Sequence, residues 1–272
     1  MAILTICRGT KSGGMALAEC AAKELGYDLV GREVLQAAAA ELGVRPQDVG
    51  EKLEESPGLF GRPPLITKLY VAAVQAALAD HAVSGNLVYH GLAGGLLLKS
   101  VPGVLCTRLI APMEARVAAV MESDGLSEAE AEAYIKDVDD ARARWVKVVY
   151  GEDIDNPALY DQVINLASFT IPEACEVLVE AARRPEFEIT PERQRNLDDF
   201  RLGCQVRLAL LDDLGTQTLD LGATAVDGEV VVTGEAPLTH TDEVGGRITE
   251  IVRSVPGVEE VRLAIEWFDP YP

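Results

Sequence analysis

Basic side chains are in short supply in this chain: 24 lysines and arginines stand against 44 acidic residues, a formal net charge of −20. A surplus of that size repels phosphate backbones and anionic lipid headgroups, which argues against nucleic acid and membrane surfaces as partners. A local basic pocket for a small anion remains compatible with it. Long apolar runs are missing as well. The longest nearly apolar stretch, residues 87–98, contains His90 and falls well short of the roughly 20 residues that a membrane-spanning helix needs. The start, MAILTICRGTK, has no basic segment and its apolar stretch ends at Arg8, so no export signal and a cytoplasmic setting are expected. The five cysteines, Cys7, Cys20, Cys106, Cys175 and Cys204, are odd in number and widely spaced, with no Cys-x-x-Cys pair. They read as reduced core residues rather than a zinc site. No Ser/His/Asp nucleophile elbow occurs. The pairs Asp139-Asp140 and Asp212-Asp213 are sequence neighbours that diverge on a helix and make poor metal sites.

What is present is a globular composition, 48% hydrophobic over 272 residues, long enough for a large domain with a smaller one. Over residues 1–183 short β-rich runs alternate with helical patterns, the signature of a parallel sheet covered by helices on both faces. Strands are expected at 2–7, 28–30, 86–90, 104–111 and 161–167. Helices are expected at 13–25, 32–42, 65–83, from 113, and over 171–183, with a short helix and a loop at 45–61. Ser127 with Glu130 three residues on forms a capping box that opens a long, charged helix, expected to project from the body of the fold. Residues 184–195, with two prolines and dense charge, read as a linker. From residue 196 the order is α-β-β-α-β, with Asp227-Gly228 as a type I′ hairpin turn. Residues 196–272 hold 15 acidic and 5 basic side chains, so this tail supplies −10 of the net charge.

Chemistry concentrates where the first strand turns into the first helix. Arg8-Gly9-Thr10-Lys11-Ser12-Gly13-Gly14 joins them, and a Gly-rich turn at a helix N-terminus suits a phosphate. It is not a Walker A loop: Gly14 stands in the lysine place, and Ala16 stands where a magnesium-binding hydroxyl is expected.

Residues 1–183 resemble the cytidylate kinase-like family, a branch of the P-loop nucleoside monophosphate kinases. Arg8 and Ser12-Gly13-Gly14 match that family's opening motif. Asp139, Arg142, Ala143, Tyr150, Gly151, Asn156-Pro157, Tyr160-Asp161 and Asn165 match its lid region. The resemblance implies a P-loop-kinase-like α/β fold with a helical lid and ATP with Mg²⁺ as cofactors. It implies a phosphate loop from Arg8 to Gly14, with Ser12 as its metal-facing hydroxyl, and an acceptor site at His90-Gly91, where Gly91 replaces an arginine of the family. Lys11, Arg142, Arg144 and Lys147 are the expected catalytic cations, with Arg116 a further candidate. Phosphoryl transfer needs such cations because charge spreads over three oxygens in the transition state.

The tail resembles a BON domain through the hairpin at 226–236 and the segment 251–261, which contains Pro256-Gly257. That resemblance implies a regulatory or dimerising module. Two readings stay open: an ATP-dependent phosphotransferase with an altered loop, acting on a small nucleotide, or an inactive nucleotide or anion sensor whose tail is its output.

Overall fold

The computed structural model describes residues 1–49, 63–238 and 241–269. Residues 46–49 are helical, and the loop expected after them lies outside the described residues. Five parallel strands form the larger sheet: β1 (Ile3–Arg8), β2 (Asp28–Val30), β3 (Leu87–His90), β4 (Val104–Ile110) and β5 (Gln162–Asn165). Their order is β2-β3-β1-β4-β5. The helices between them are α1 (Gly14–Leu25), α2 (Arg32–Leu42), α3 (Leu65–Ala82), α4 (Gly94–Leu97), α5 (Met113–Asp124), α6 (Glu128–Tyr150) and α7 (Ile171–Ala182).

β1 is apolar almost throughout because both of its faces are covered. Ile3, Leu87 and Tyr89 face the small-residue helices α2 and α3, packing with Val34, Ala38, Ala73 and Leu78. Leu4, Ile6, Val88 and Leu105 face α1 and α7, packing with Leu17, Ala21 and Leu178. α1 and α7 thereby lie side by side, and Cys20 and Cys175 are joined in a disulfide with Cα atoms 6.1 Å apart. This corrects the expectation of five reduced cysteines: the two residues are 155 apart in sequence and only the sheet's helix layer makes them neighbours. Cys7, Cys106 and Cys204 are free thiols.

The long helix α6 opens with the expected capping box, the Ser127 N–H donating to Glu130 at 2.9 Å. It does not simply project. Ala131 and Ile135 pack on Val117 and Val120 of α5, and Trp145, 2% exposed, anchors the far end with Val146 against Cys7 and Ala93. These apolar residues make one stripe along an otherwise charged helix, so the lid is seated at both ends.

The tail comprises α8 (Pro191–Asp212), β6 (Asp220–Val226), β7 (Glu229–Pro237), α9 (Thr241–Ser254) and β8 (Glu260–Phe268). Its sheet runs β6-β7-β8, with β6 and β7 antiparallel and β7 and β8 parallel. Asp227 and Gly228 take φ of 48° and 83°, the left-handed pair that a type I′ turn demands. α8 begins at Pro191 rather than at 196. Thr190 caps it by accepting the Arg193 N–H at 3.3 Å, and proline sits at the first turn, where its missing N–H is not needed. Along α8, Leu197, Cys204, Leu208 and Leu211 enter the core of the larger sheet. Leu202, Val206 and Leu210 enter the core of the smaller one.

Candidate functional site

β1 lies between β3 and β4, and the chain leaves it first toward β2 and later crosses it toward β4 and β5. The carboxyl end of β1 is therefore the switch point, where an open α/β sheet leaves a crevice for ligands. The loop at 9–13 sits there. Ser12 closes it internally, its Oγ donating to the Gly9 carbonyl at 2.9 Å while the residue is 2% exposed. Lys11 at φ 55° and Gly13 at φ 81° supply the left-handed bends. A Cβ on Gly14 would fall 2.6 Å from Cδ of Arg8, so the Arg8 side chain runs through the space where a lysine at 14 would begin. At Gly9 a Cβ would come within 3.2 Å of the Arg116 guanidinium, which rests on the bare backbone.

The lid reaches this loop through Asp139 and Arg142. Asp139 Oδ1 accepts from the Thr10 N–H at 2.9 Å and from the Thr10 hydroxyl at 2.7 Å, and its Oδ2 pairs with Arg116. Arg116 Nε donates to the Thr10 carbonyl at 2.7 Å, and Arg142 donates to Thr10 Oγ1 at 3.0 Å. Burial alone would raise the Asp139 pKa. The hydrogen bonds from Arg116 and Thr10 outweigh it and hold the carboxyl below its ordinary range.

Sequence reasoning missed Arg108. It stands on β4 with a side chain 12% exposed, donates to Asp155 at 2.7 Å, and approaches Cys7 Sγ at 3.1 Å. Its Nε is buried without an acceptor among the described residues. The available signal was an arginine inside the strand VLCTRLI, where a charge is out of place unless it has a purpose. Arg8, Arg108, Arg116 and Arg142, with Asp139 and Asp155, line one cleft of about 210 Å³. Four guanidiniums against two carboxylates leave a surplus of two positive charges in a chain of net −20.

The other expected residues lie elsewhere. Lys11 turns to α5, donating to Ser123 Oγ at 2.8 Å and lying 3.5 Å from Asp124. Arg144 is exposed on the lid, and neither it nor Lys147 lines the cleft. Lys147 donates to the Gly151 carbonyl at 3.0 Å, capping its own helix. His90, 8% exposed, ends β3 with its Nε2 buried and without a partner among the described residues. Burial, reinforced by Arg8 and Arg142, pushes its pKa down to about 4, so it is neutral at physiological pH. Gly91 is glycine for steric reasons: a Cβ there would sit 2.2 Å from the Tyr89 hydroxyl oxygen. Among the described residues no three His, Cys, Asp or Glu side chains gather as a metal site.

A parallel sheet covered on both faces, with a glycine-rich first turn at its switch point and a helical lid over it, is a P-loop-kinase-like α/β fold. Residues 3–168 match the cytidylate kinase-like family, and the chain belongs to that family. A cytidylate kinase from Archaeoglobus fulgidus is 25% identical over 189 residues, covering 68% of this chain and 97% of that enzyme. A uronate isomerase from Corynebacterium glutamicum is 36% identical over 103 residues. That match covers 38% of this chain and spans only 20% of the isomerase. Among solved structures, an uncharacterized protein from Eubacterium ventriosum superposes with a TM-score of 0.52 at 16% identity, over 66% of this chain and 97% of the other.

Proposed function

We propose that the protein is an ATP-dependent phosphotransferase of nucleoside monophosphate kinase type, with residues 1–183 as its nucleotide-binding unit. The observation that carries this reading is the convergence of Arg8, Arg108, Arg116 and Arg142 at the switch-point cleft. Preorganised guanidiniums are what a phosphoryl group with charge on three oxygens requires, and lid residues that also touch the loop exclude water. Arg8 takes over the position of the missing loop lysine, and Arg142 acts from the lid. Polyphosphate fits this donor set. Dedicated magnesium ligands are few in this cleft: Ser12, 2% exposed, is turned inward onto the Gly9 carbonyl, and Asp139 and Asp155 are each paired with an arginine. The metal, which offsets phosphate charge when bound, is therefore carried by the phosphates and water in this reading. The acceptor lies toward His90 and Gly91, without the family's arginine.

A second reading has one specific observation in its favour. Asp139 already occupies the Thr10 N–H and Arg116 as an internal anion, and Gly14 and Ala16 lack the usual catalytic groups. A sensor that exchanges this carboxylate for a ligand phosphate would look the same. In either case we read residues 196–272 as a BON-like oligomerising or regulatory module. We also place the protein in the cytoplasm; in the disulfide Cys175 is 2% exposed and Cys20 is half-buried.

The test is a phosphoryl-transfer assay with full-length protein, Mg-ATP and a panel of nucleoside monophosphates and nucleosides. A new phosphorylated product is expected, reduced by about 100-fold or more in Arg142→Ala and in Arg108→Ala, as for other removed transition-state donors. Folded protein that binds ATP yet yields no product across the panel refutes the enzyme and leaves the sensor.

A further inference from the structure

The smaller sheet ends on an unpaired strand. Among the described residues β8 has β7 as its one strand neighbour, so its other edge offers main-chain N–H and C=O groups to a further strand. Such edges are commonly blunted by proline, bulges or shortness. β8 has none of these, its charges Glu260, Arg262 and Glu266 being the safeguard it does carry: it is nine residues, EVRLAIEWF, in unbroken register with β7 from Glu260 to Phe268. Val261, Leu263 and Ile265 pack toward the core, while Arg262, Ala264, Glu266 and Phe268 are exposed on the alternate face.

We infer that β8 pairs antiparallel with β8 of a second copy of this chain, about a two-fold axis at Ala264. An axis perpendicular to the sheet keeps each face continuous only if the numbers of opposed residues add to an even sum. Centred on Ala264, Arg262 of each copy opposes Glu266 of the other, so the charge pair is made twice. Leu263 opposes Ile265 and Val261 opposes Trp267 on the packed face, and the smallest side chain of the strand lies on the axis. The neighbouring alternatives fail. Centring on Leu263 sets Glu260 against Glu266, and centring on Ile265 sets Arg262 against Phe268 and Glu266 against Ala264, so the charge pair is lost; the Ala264 register makes that pair twice, with Glu260 opposite Phe268.

The helix beside the strand has the same symmetry. An open groove of about 1050 Å³ runs between α9 and β8, floored by Gly245, Gly246, Leu263 and Trp267. A Cβ on Gly246 would meet nothing within 4 Å, so that face of α9 is uncovered. Asp242 stands at one end of the groove and Arg253 at the other. The two-fold that joins the strands lays the two α9 helices antiparallel, bringing each Asp242 end to the other copy's Arg253 end. Isologous pairing of this kind closes as a dimer and leaves no further edge on β8.

This proposal rests on reading the tail as an oligomerising module and is independent of the arginine cleft. Sedimentation equilibrium of full-length protein tests it, with phosphoryl transfer measured on the same preparations. Wild type is expected to be dimeric. Arg262→Glu and Glu266→Arg, each on an exposed position, replace two opposite-charge pairs by two like-charge pairs and should each weaken dimerisation about tenfold or more. The double variant Arg262→Glu with Glu266→Arg should restore it. A monomeric wild type overturns both this pairing and the oligomerising reading of the tail. A dimer indifferent to the single substitutions, or one that the double variant fails to restore, overturns the β8 pairing alone.

Discussion

His90 should make the protein acid-sensitive in a defined window. In the fold its pKa is pushed down to about 4, against an ordinary value of 6.5, because burial disfavours the charged ring and Arg8 and Arg142 repel it. Unfolding therefore releases a histidine that takes up a proton more readily. The contribution of this group is fully present above pH 6.5 and is lost as pH falls toward 4, at about 1.4 kcal/mol per pH unit. That amounts to about 2 kcal/mol at pH 5 and about 3 kcal/mol at pH 4, levelling off at about 3.4 kcal/mol below that. Urea unfolding of wild type and His90→Leu at intervals from pH 7.5 to 4.5 isolates the term, since the carboxylates common to both proteins cancel in the difference. The gap between the two stabilities should shift in favour of the variant by about 2 kcal/mol between pH 7 and pH 5. A gap that stays constant over that range refutes the neutral, buried histidine. It would also reopen a role for His90 as a cation toward acceptor phosphate, which a pKa near 4 denies it.

Two further substitutions probe the scaffold. Cys20→Ser removes a cross-link spanning 155 residues, and the chain-entropy estimate for such a loop is about 5 kcal/mol, so a large fall in Tm is expected, with the full effect seen in non-reducing buffer. Thiol titration of denatured wild type should find three reactive cysteines; five would show that the bond does not form. Gly91→Ala forces the Tyr89 ring from its place, because the new Cβ would lie 2.2 Å from its hydroxyl oxygen, and should destabilise by about 1–3 kcal/mol in chemical denaturation. A loss under 0.5 kcal/mol would show that Tyr89 moves freely.

Local signals were the readable ones. The strand AILTIC, the capping box at Ser127 and the turn at Asp227-Gly228 each depend on neighbours within four residues, and each is found where its chemistry puts it. Thr190-Pro191 is a local signal too, and the charge around it masked a helix start as a linker. What the sequence could not show was convergence. Arg108 reads as an oddity in a strand until β4 is set beside β1, and Cys20 and Cys175 are unrelated until α1 and α7 share a layer. The candidate site was half legible for the same reason. Arg8 and Arg142 follow from motifs, but Lys11 and Lys147 carry the expected charge and spend it on α5 and on the lid's own end.

One helix wall serves two rooms here. Because α8 gives Leu197, Cys204, Leu208 and Leu211 to the large sheet's core and Leu202, Val206 and Leu210 to the small one's, neither half has a complete boundary of its own. A chain severed ahead of Thr190 would leave α3 with a raw apolar flank facing water, in a molecule otherwise shielded by its negative charge. The tail is thus part of what keeps the kinase-like half closed to solvent. The two sets interleave along one stretch of α8, so displacing that helix uncovers both cores together, whichever chemistry the arginine cleft performs.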